Sequence, residues 1–179
     1  MAKKNPFKLD VVSVRLVKDA PLMTGYPVNS PEEAMRAVGQ EMCQMDREVV
    51  CVINLKADGT PINCTFASIG ALNTSIAHPR ELIKATFLSN AAQMILIHNH
   101  PSGNLKPSKE DTVLTDQLLK LCALIDIQLL DHLIVAAGKC EFFSFREKGL
   151  LITPKLNLQT DYRDLEFDQP MVAEEGRKR

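Results

Sequence analysis

The stretch MILIHNHPSGNLKPSKED, residues 94–111, joins an apolar run to a helix start through a polar turn. The run that ends at His98 is short, apolar and contains β-branched residues, which predicts a buried strand. Side chains two positions apart on a strand point the same way, so His98 and His100 project together from its end. The Pro-Ser-Gly-Asn segment that follows predicts a chain reversal, and Ser108 with Asp111 three residues later predicts the start of a helix.

These residues also carry a chemical pattern. Two imidazoles and one carboxylate form a three-ligand set that leaves a fourth position open, which is the arrangement of a catalytic zinc rather than of a structural one. Ser108 and Asp111 lie on one helical face. They would also occur as a capping box with no metal present, so from these two residues alone both interpretations stay open.

Helix and strand patterns alternate on either side of this stretch. Asp58-Gly59 is a strong turn signal and predicts a hairpin between the two strand patterns around it. The alternation predicts an α/β fold with one mixed β-sheet flanked by helices. Helix patterns begin at Ser30, Pro79 and Ser108, and strand patterns cover residues 9–17, 47–55, 60–70, 92–98, 127–138 and 140–145.

Composition restricts the possible functions. The length of 179 residues predicts one domain with tails. The residues are 45% hydrophobic and 24% charged, and the net charge is −1. Nucleic-acid binding is not supported by this charge, because such proteins usually show a basic excess or stripe. No apolar run reaches the length of a membrane span, and no signal-peptide pattern is seen at the N-terminus, so a cytoplasmic location is predicted.

The cysteines show no Cys-x-x-Cys pair. An odd number in a chain without a signal-peptide pattern predicts reduced, mostly buried thiols and argues against a cysteine zinc site. The five are Cys43, Cys51, Cys64, Cys122 and Cys140.

The spacing His98-Asn99-His100, seven residues, Ser108, two residues, Asp111 reproduces His-x-His-x7-Ser-x2-Asp. This is the signature of the JAMM metalloproteases, and the wider text of residues 78–135 resembles the RadC branch of that superfamily, the JAB/MPN domain. The resemblance covers roughly residues 30–147. It implies a cytidine-deaminase-like α/β sheet that carries Zn²⁺.

The resemblance also implies roles for single residues. His98, His100 and Asp111 resemble the zinc ligands of the family. Ser108 resembles the serine that helps to stabilise the oxyanion, and Glu48 sits where the family places its general-base glutamate.

Other residues keep simpler interpretations. Glu41 and Glu81 remain alternatives to Glu48, whose other interpretation is an exposed charge at a strand start. His132 lies in an apolar strand pattern, which is more typical of a core histidine than of a ligand. Asn99 is predicted only to separate two ligands.

The implied function is a zinc-dependent hydrolase, similar to a metallopeptidase or isopeptidase, that cleaves an amide bond with a zinc-activated water. The substrate is a peptide or isopeptide of unknown identity. A DNA-repair-associated accessory protein and a non-catalytic partner-binding module of the same family are the alternatives. A zinc deaminase is not predicted, because its His-x-Glu and Pro-Cys-x-x-Cys signature is missing.

The predicted organisation has three parts. Residues 1–29 form a strand-containing extension, in place of the helix-hairpin-helix-like segment usual in full-length RadC proteins, which argues against carrying over a DNA-related role. Residues 30–147 form the JAB/MPN domain, and residues 148–179 form a charged C-terminal tail. The oligomeric state is not predicted.

Overall fold

The structure, a computed structural model, describes residue 16 and residues 25–69 and 78–154. The strand predicted for residues 9–17 lies outside this part of the chain, apart from Leu16. The strands are β1 Val49–Leu55, β2 Pro61–Ile69, β3 Gln93–His100, β4 Gln128–Ala136 and β5 Phe142–Ser144. The helices are α1 Pro31–Ala34, α2 Gln40–Met42, α3 Pro79–Leu88 and α4 Lys109–Leu124.

The first helical segment, residues 31–42, starts where its capping residues predict. The Ser30 side chain accepts a hydrogen bond from the Glu33 amide, and the Glu33 carboxylate accepts one from the Ser30 amide. This reciprocal pair satisfies two amides that the first turn of a helix leaves without partners. A π-helical turn at Met35–Gly39 connects α1 to α2 without a break.

The five strands form one sheet in the order β2-β1-β3-β4-β5. β1 pairs antiparallel with both β2 and β3, and β5 pairs antiparallel with β4. β3 and β4 are parallel, which requires a crossover between them, and α4 lies in that connection. The predicted α/β fold with a mixed sheet flanked by helices is confirmed.

Helices cover both faces of the sheet, and each face has its own apolar core. The segment of residues 31–42 packs on one face, and α3 and α4 pack on the other. Every residue of β1 is buried as a result, which explains why its sequence reads as a nearly continuous apolar run. Among the described residues, none of the helices is long and apolar enough to cross a membrane.

The cysteine prediction is wrong for two of the five residues. Cys43, directly after α2, and Cys140, in the turn between β4 and β5, form a disulfide with Cα atoms 5.3 Å apart. Cysteine spacing alone does not reveal which residues the fold brings together. Cys51 and Cys122 are buried free thiols, and Cys64 is a half-buried one.

The first residues of the predicted C-terminal tail contact the domain. The Leu150 amide donates a 2.9 Å hydrogen bond to the Phe145 carbonyl, and Leu151 packs half-buried against the core beneath α3 and α4. The chain is therefore attached to the domain through Leu151. The boundaries of the three predicted parts stay predictions.

Candidate metal centre

The side chains at the end of β3 alternate between the two faces of the sheet. His98 and His100 continue the row of Met94 and Leu96, which packs against the α3–α4 core, while Asn99 points to the other face. His98 is only 3% exposed, whereas His100 is partly accessible. The two imidazoles therefore point to the same face of the sheet, as the strand periodicity predicts.

The turn after β3 brings the first turn of α4 back to these imidazoles. The Nε2 atoms of His98 and His100 are 2.9 Å apart. The Asp111 carboxylate lies 3.2 Å from His98 Nε2 through one oxygen and 3.5 Å from His100 Nε2 through the other. The structure thus gathers the three residues that were predicted as ligands, and their roles stay predictions.

Ser108 is the N-cap of α4. Its Oγ accepts a 3.0 Å hydrogen bond from the Asp111 amide, and its own amide donates a 2.6 Å bond to Asp111 Oδ2. The capping-box interpretation is therefore confirmed. The cap also fixes the Asp111 carboxylate next to the two histidines, so the geometry that caps the helix is compatible with the predicted role of Asp111 as a ligand. Because Oγ is the acceptor in the cap, its hydrogen stays free to be donated.

Glu48 precedes β1, beside the histidine pair. The register that pairs Val50 with His98 places Glu48 opposite His100. Its carboxylate and the two imidazoles offer ligand atoms that all lie within 4.8 Å of one another, a group that could hold a metal ion. Unlike Asp111, Glu48 is exposed.

Hydrogen bonds at the far ring nitrogens orient both imidazoles. His100 Nδ1 lies 2.6 Å from the Asn104 carbonyl. A carbonyl oxygen only accepts, so this nitrogen carries a proton and Nε2 of the neutral ring presents its lone pair. His98 Nδ1 lies 2.9 Å from Nε2 of His132.

The donor set fits Zn²⁺. Bonds of about 2.0–2.1 Å at a tetrahedral angle separate ligand atoms by about 3.3 Å. The two imidazole nitrogens are 2.9 Å apart and His98 Nε2 is 3.2 Å from one Asp111 oxygen, both close to this value, while the other Asp111 oxygen lies 3.5 Å from His100 Nε2. Three lone-pair donors at such distances repel one another unless a positive charge lies between them.

A proton on one imidazole also supplies such a charge, and the pKa values reflect this. The hydrogen bond to Asp111 raises the pKa of His100 above its usual value. Burial alone would raise the pKa of Asp111, but the neighbouring His100 and His98 rings and the hydrogen bond from Ser108 hold that pKa well below its usual range. The site therefore favours one positive charge, for which a proton and a metal ion would compete.

Comparison with known proteins agrees with this architecture. Residues 28–150 match the family described as "RadC-like JAB domain". The chain belongs to this family. The match covers the five described strands, all four α-helices and every residue of the candidate centre.

Several curated relatives of this JAB domain carry the name UPF0758 protein. The one from Desulforamulus reducens is 40% identical over 131 residues, which is 73% of this chain and 57% of that protein. The one from Clostridium kluyveri is 44% identical over 126 residues, 70% of this chain and 54% of that protein. The chain spans about half the length of the curated relatives it matches.

Asn99 does more in this JAB domain than separate two histidines, so that prediction is wrong. Its side chain is fully buried. Its Oδ1 accepts a 2.7 Å bond from the Val49 amide, and its Nδ2 donates to the carbonyls of Arg47 at 2.9 Å and Met45 at 3.4 Å. Asn99 thus anchors the segment that carries Glu48. The sequence gives little signal for this, because these partners lie about 50 positions upstream.

His132 is buried as predicted, yet it is joined to the centre. It stacks on Phe145 with ring centroids 4.8 Å apart. Its Nε2 contacts His98, and its Nδ1 lies 2.6 Å from the Thr115 hydroxyl. Burial holds the pKa of His132 well below its usual value. Thr115 follows Asp111 by one helical turn, which is the sequence signal that could have drawn attention to it.

Proposed function

We propose that this JAB domain is a zinc-dependent hydrolase of amide or isopeptide bonds. The observation that carries the proposal is the convergence of three lone-pair donors, His98, His100 and Asp111, within 3.5 Å of one another. Two imidazoles and one carboxylate form the ligand set of catalytic zinc sites, which keep a further position open.

In this proposal His98, His100 and Asp111 hold the metal. Asp111 is preferred to Glu48 as the ligand because Asp111 is buried and fixed by the helix cap. Glu48 is exposed, so its carboxylate is free to carry a proton from the attacking water to the leaving group. When bound, Zn²⁺ supplies Lewis-acid polarisation of a carbonyl group and lowers the pKa of water to about 7.

The remaining steps belong to the chain's own residues. Glu48 takes the proton of the attacking water and delivers it to the leaving amine. The Ser108 hydroxyl donates a hydrogen bond to the substrate carbonyl oxygen as negative charge develops there. The substrate class that matches these roles is a peptide or an isopeptide.

Metal analysis tests the ligand set. The wild-type chain is expected to retain one Zn²⁺ per chain after dialysis, and His98→Ala to retain much less. The matched control is His78→Ala, because His78 is an exposed histidine at the N-cap of α3, and this variant should bind like the wild type. A wild-type chain that holds no stoichiometric zinc and takes none up contradicts the proposal.

A cleavage assay tests the chemistry. Internally quenched peptides and a peptide attached through a lysine side chain are suitable probes. Glu48→Gln should keep its zinc and lose about 10²- to 10⁴-fold in rate, the usual contribution of a general base. Equal cleavage by wild type, Glu48→Gln and His98→Ala would refute the mechanism. A zinc-loaded wild type that cleaves no probe would instead favour a partner-binding module.

We do not propose a DNA-repair role. With a net charge of −1, the chain lacks the basic excess that usually drives binding to phosphate backbones. The cytoplasmic location also stays a prediction.

A further inference from the structure

A chain of hydrogen bonds runs from the candidate centre into the interior. His98 Nδ1 lies 2.9 Å from His132 Nε2, and His132 Nδ1 lies 2.6 Å from Thr115 Oγ1. Thr115 Oγ1 in turn lies 2.6 Å from the backbone carbonyl of Asp111. This series of hydrogen bonds therefore begins at one candidate ligand, His98, and ends at the backbone of another, Asp111.

Only one direction of donation fits these contacts. The Asp111 carbonyl can only accept, so Thr115 donates its hydroxyl hydrogen to it. The Thr115 oxygen must then accept from His132 Nδ1–H. The His132 ring is fully buried, and in the described part of the chain its nitrogens contact only His98 and Thr115. In its neutral form the ring holds one proton, and the contact with Thr115 places that proton on Nδ1.

The same reasoning fixes which nitrogen donates in the contact between His132 and His98. Because Nε2 of His132 carries no proton, it accepts, and His98 Nδ1 must donate. The neutral His98 ring has no second proton, so its Nε2 presents a lone pair towards His100 and Asp111. A helix carbonyl thereby selects the tautomer that a metal ion requires.

We propose that His132 and Thr115 are positioning residues that lock His98 in the Nδ1–H tautomer and so raise the metal affinity of the centre. The effect on affinity rests on the proposed metal site, whereas the tautomer itself does not. Outer partners of this kind typically contribute 10- to 100-fold to metal affinity.

Two matched substitutions separate this role from a purely structural one. His132→Phe keeps a flat ring for stacking on Phe145 but removes the acceptor for His98. Thr115→Val keeps the shape of the side chain and removes the hydroxyl, while Thr115→Ser keeps the hydroxyl. His132→Gln offers a carbonyl oxygen to His98 and should restore part of the affinity that His132→Phe loses.

The first measurement is NMR of ¹⁵N-histidine-labelled, metal-free protein through a pH titration, in which protonated and unprotonated ring nitrogens have well-separated shifts. In the wild type and Thr115→Ser, the neutral His98 ring should be protonated at Nδ1. In His132→Phe and Thr115→Val it should shift towards the Nε2–H form. A wild type with Nε2–H at His98, or variants without any shift, overturns the proposal.

The second measurement is titration with Zn²⁺ and Co²⁺ alone. His132→Phe and Thr115→Val should bind 10- to 100-fold more weakly than the wild type, with Thr115→Ser unchanged. Equal affinities would overturn the proposed contribution to binding. If no variant, including the wild type, binds metal, the proposed function fails and the NMR result alone decides the tautomer lock.

Discussion

Replacing Asn99 with Ala should destabilise the domain and release the segment before β1. The change removes the 2.7 Å bond from the Val49 amide and the 2.9 Å bond to the Arg47 carbonyl. Each net hydrogen bond contributes about 1 kcal/mol, and leaving a buried amide unpaired costs about 1–3 kcal/mol more. The free energy of unfolding should therefore fall by about 3 kcal/mol.

Urea unfolding measures this loss, and amide hydrogen exchange shows where it arises. The Val49 amide should exchange much faster in the Asn99→Ala variant, while amides in the centre of β3 keep their relative protection. The matched control is Gln128→Ala, because Gln128 forms an exposed amide contact of 3.3 Å with Gln93. A surface change of this kind should cost less than about 0.5 kcal/mol.

Two results would refute this reasoning about Asn99. One is a loss of stability no larger than that of the Gln128 control. The other is a Val49 amide that stays as protected as in the wild type, since Asn99 would then not be its partner. Under the proposed function, the variant should also bind zinc like the wild type and cleave more slowly, because Glu48 is adjacent to Val49 and His98 is not altered.

Further predictions concern the disulfide, a thiol and a helix cap. Reducing the Cys43–Cys140 bond, which closes a separation of 97 residues, should lower the free energy of unfolding by up to about 4.7 kcal/mol; an unchanged urea midpoint in dithiothreitol would contradict this. The hydrogen bond from Cys51 lowers the pKa of Cys64 to about 7, so its alkylation by iodoacetamide, followed by mass spectrometry, should accelerate as the pH rises through 7, and a midpoint near 9 would disprove it. Ser30→Ala should cost about 1 kcal/mol in urea unfolding, while Ser30→Asp, which keeps a cap, should not; equal losses would argue against the cap.

The sequence predicts those parts of the fold that depend on local signals. The helix starts at Ser30, Pro79 and Ser108 agree with the structure. The caps at Ser30 and Ser108 involve residues only three positions apart, and Pro79 favours the first helical position through its own fixed φ angle. The hairpin between β1 and β2 is similarly local, since the Asp58-Gly59 turn directs it. The pairing of β1 with β3 has no such signal, because the two strands are far apart in sequence and only tertiary packing selects their register.

The candidate site divides in the same way. His98, His100 and Asp111 can be found from their spacing, because strand and helix periodicity fix their directions. Asn99 and His132 cannot, since their roles depend on partners tens of residues away. An apolar strand pattern makes a histidine look like an ordinary core residue, and only the packed structure shows which side chain its ring nitrogens face.

The long-range bonds to Asn99 and His132 have a consequence for how metal and folding are coupled. The three proposed ligands lie within residues 98–111, so an unfolded chain still holds two imidazoles and a carboxylate close together and can chelate zinc weakly. Metal that binds the unfolded chain stabilises the native state less than its native affinity suggests. The stabilisation that remains reflects the orientation supplied from distant segments, so the gain in melting temperature on adding zinc reports how well those segments orient the ligands.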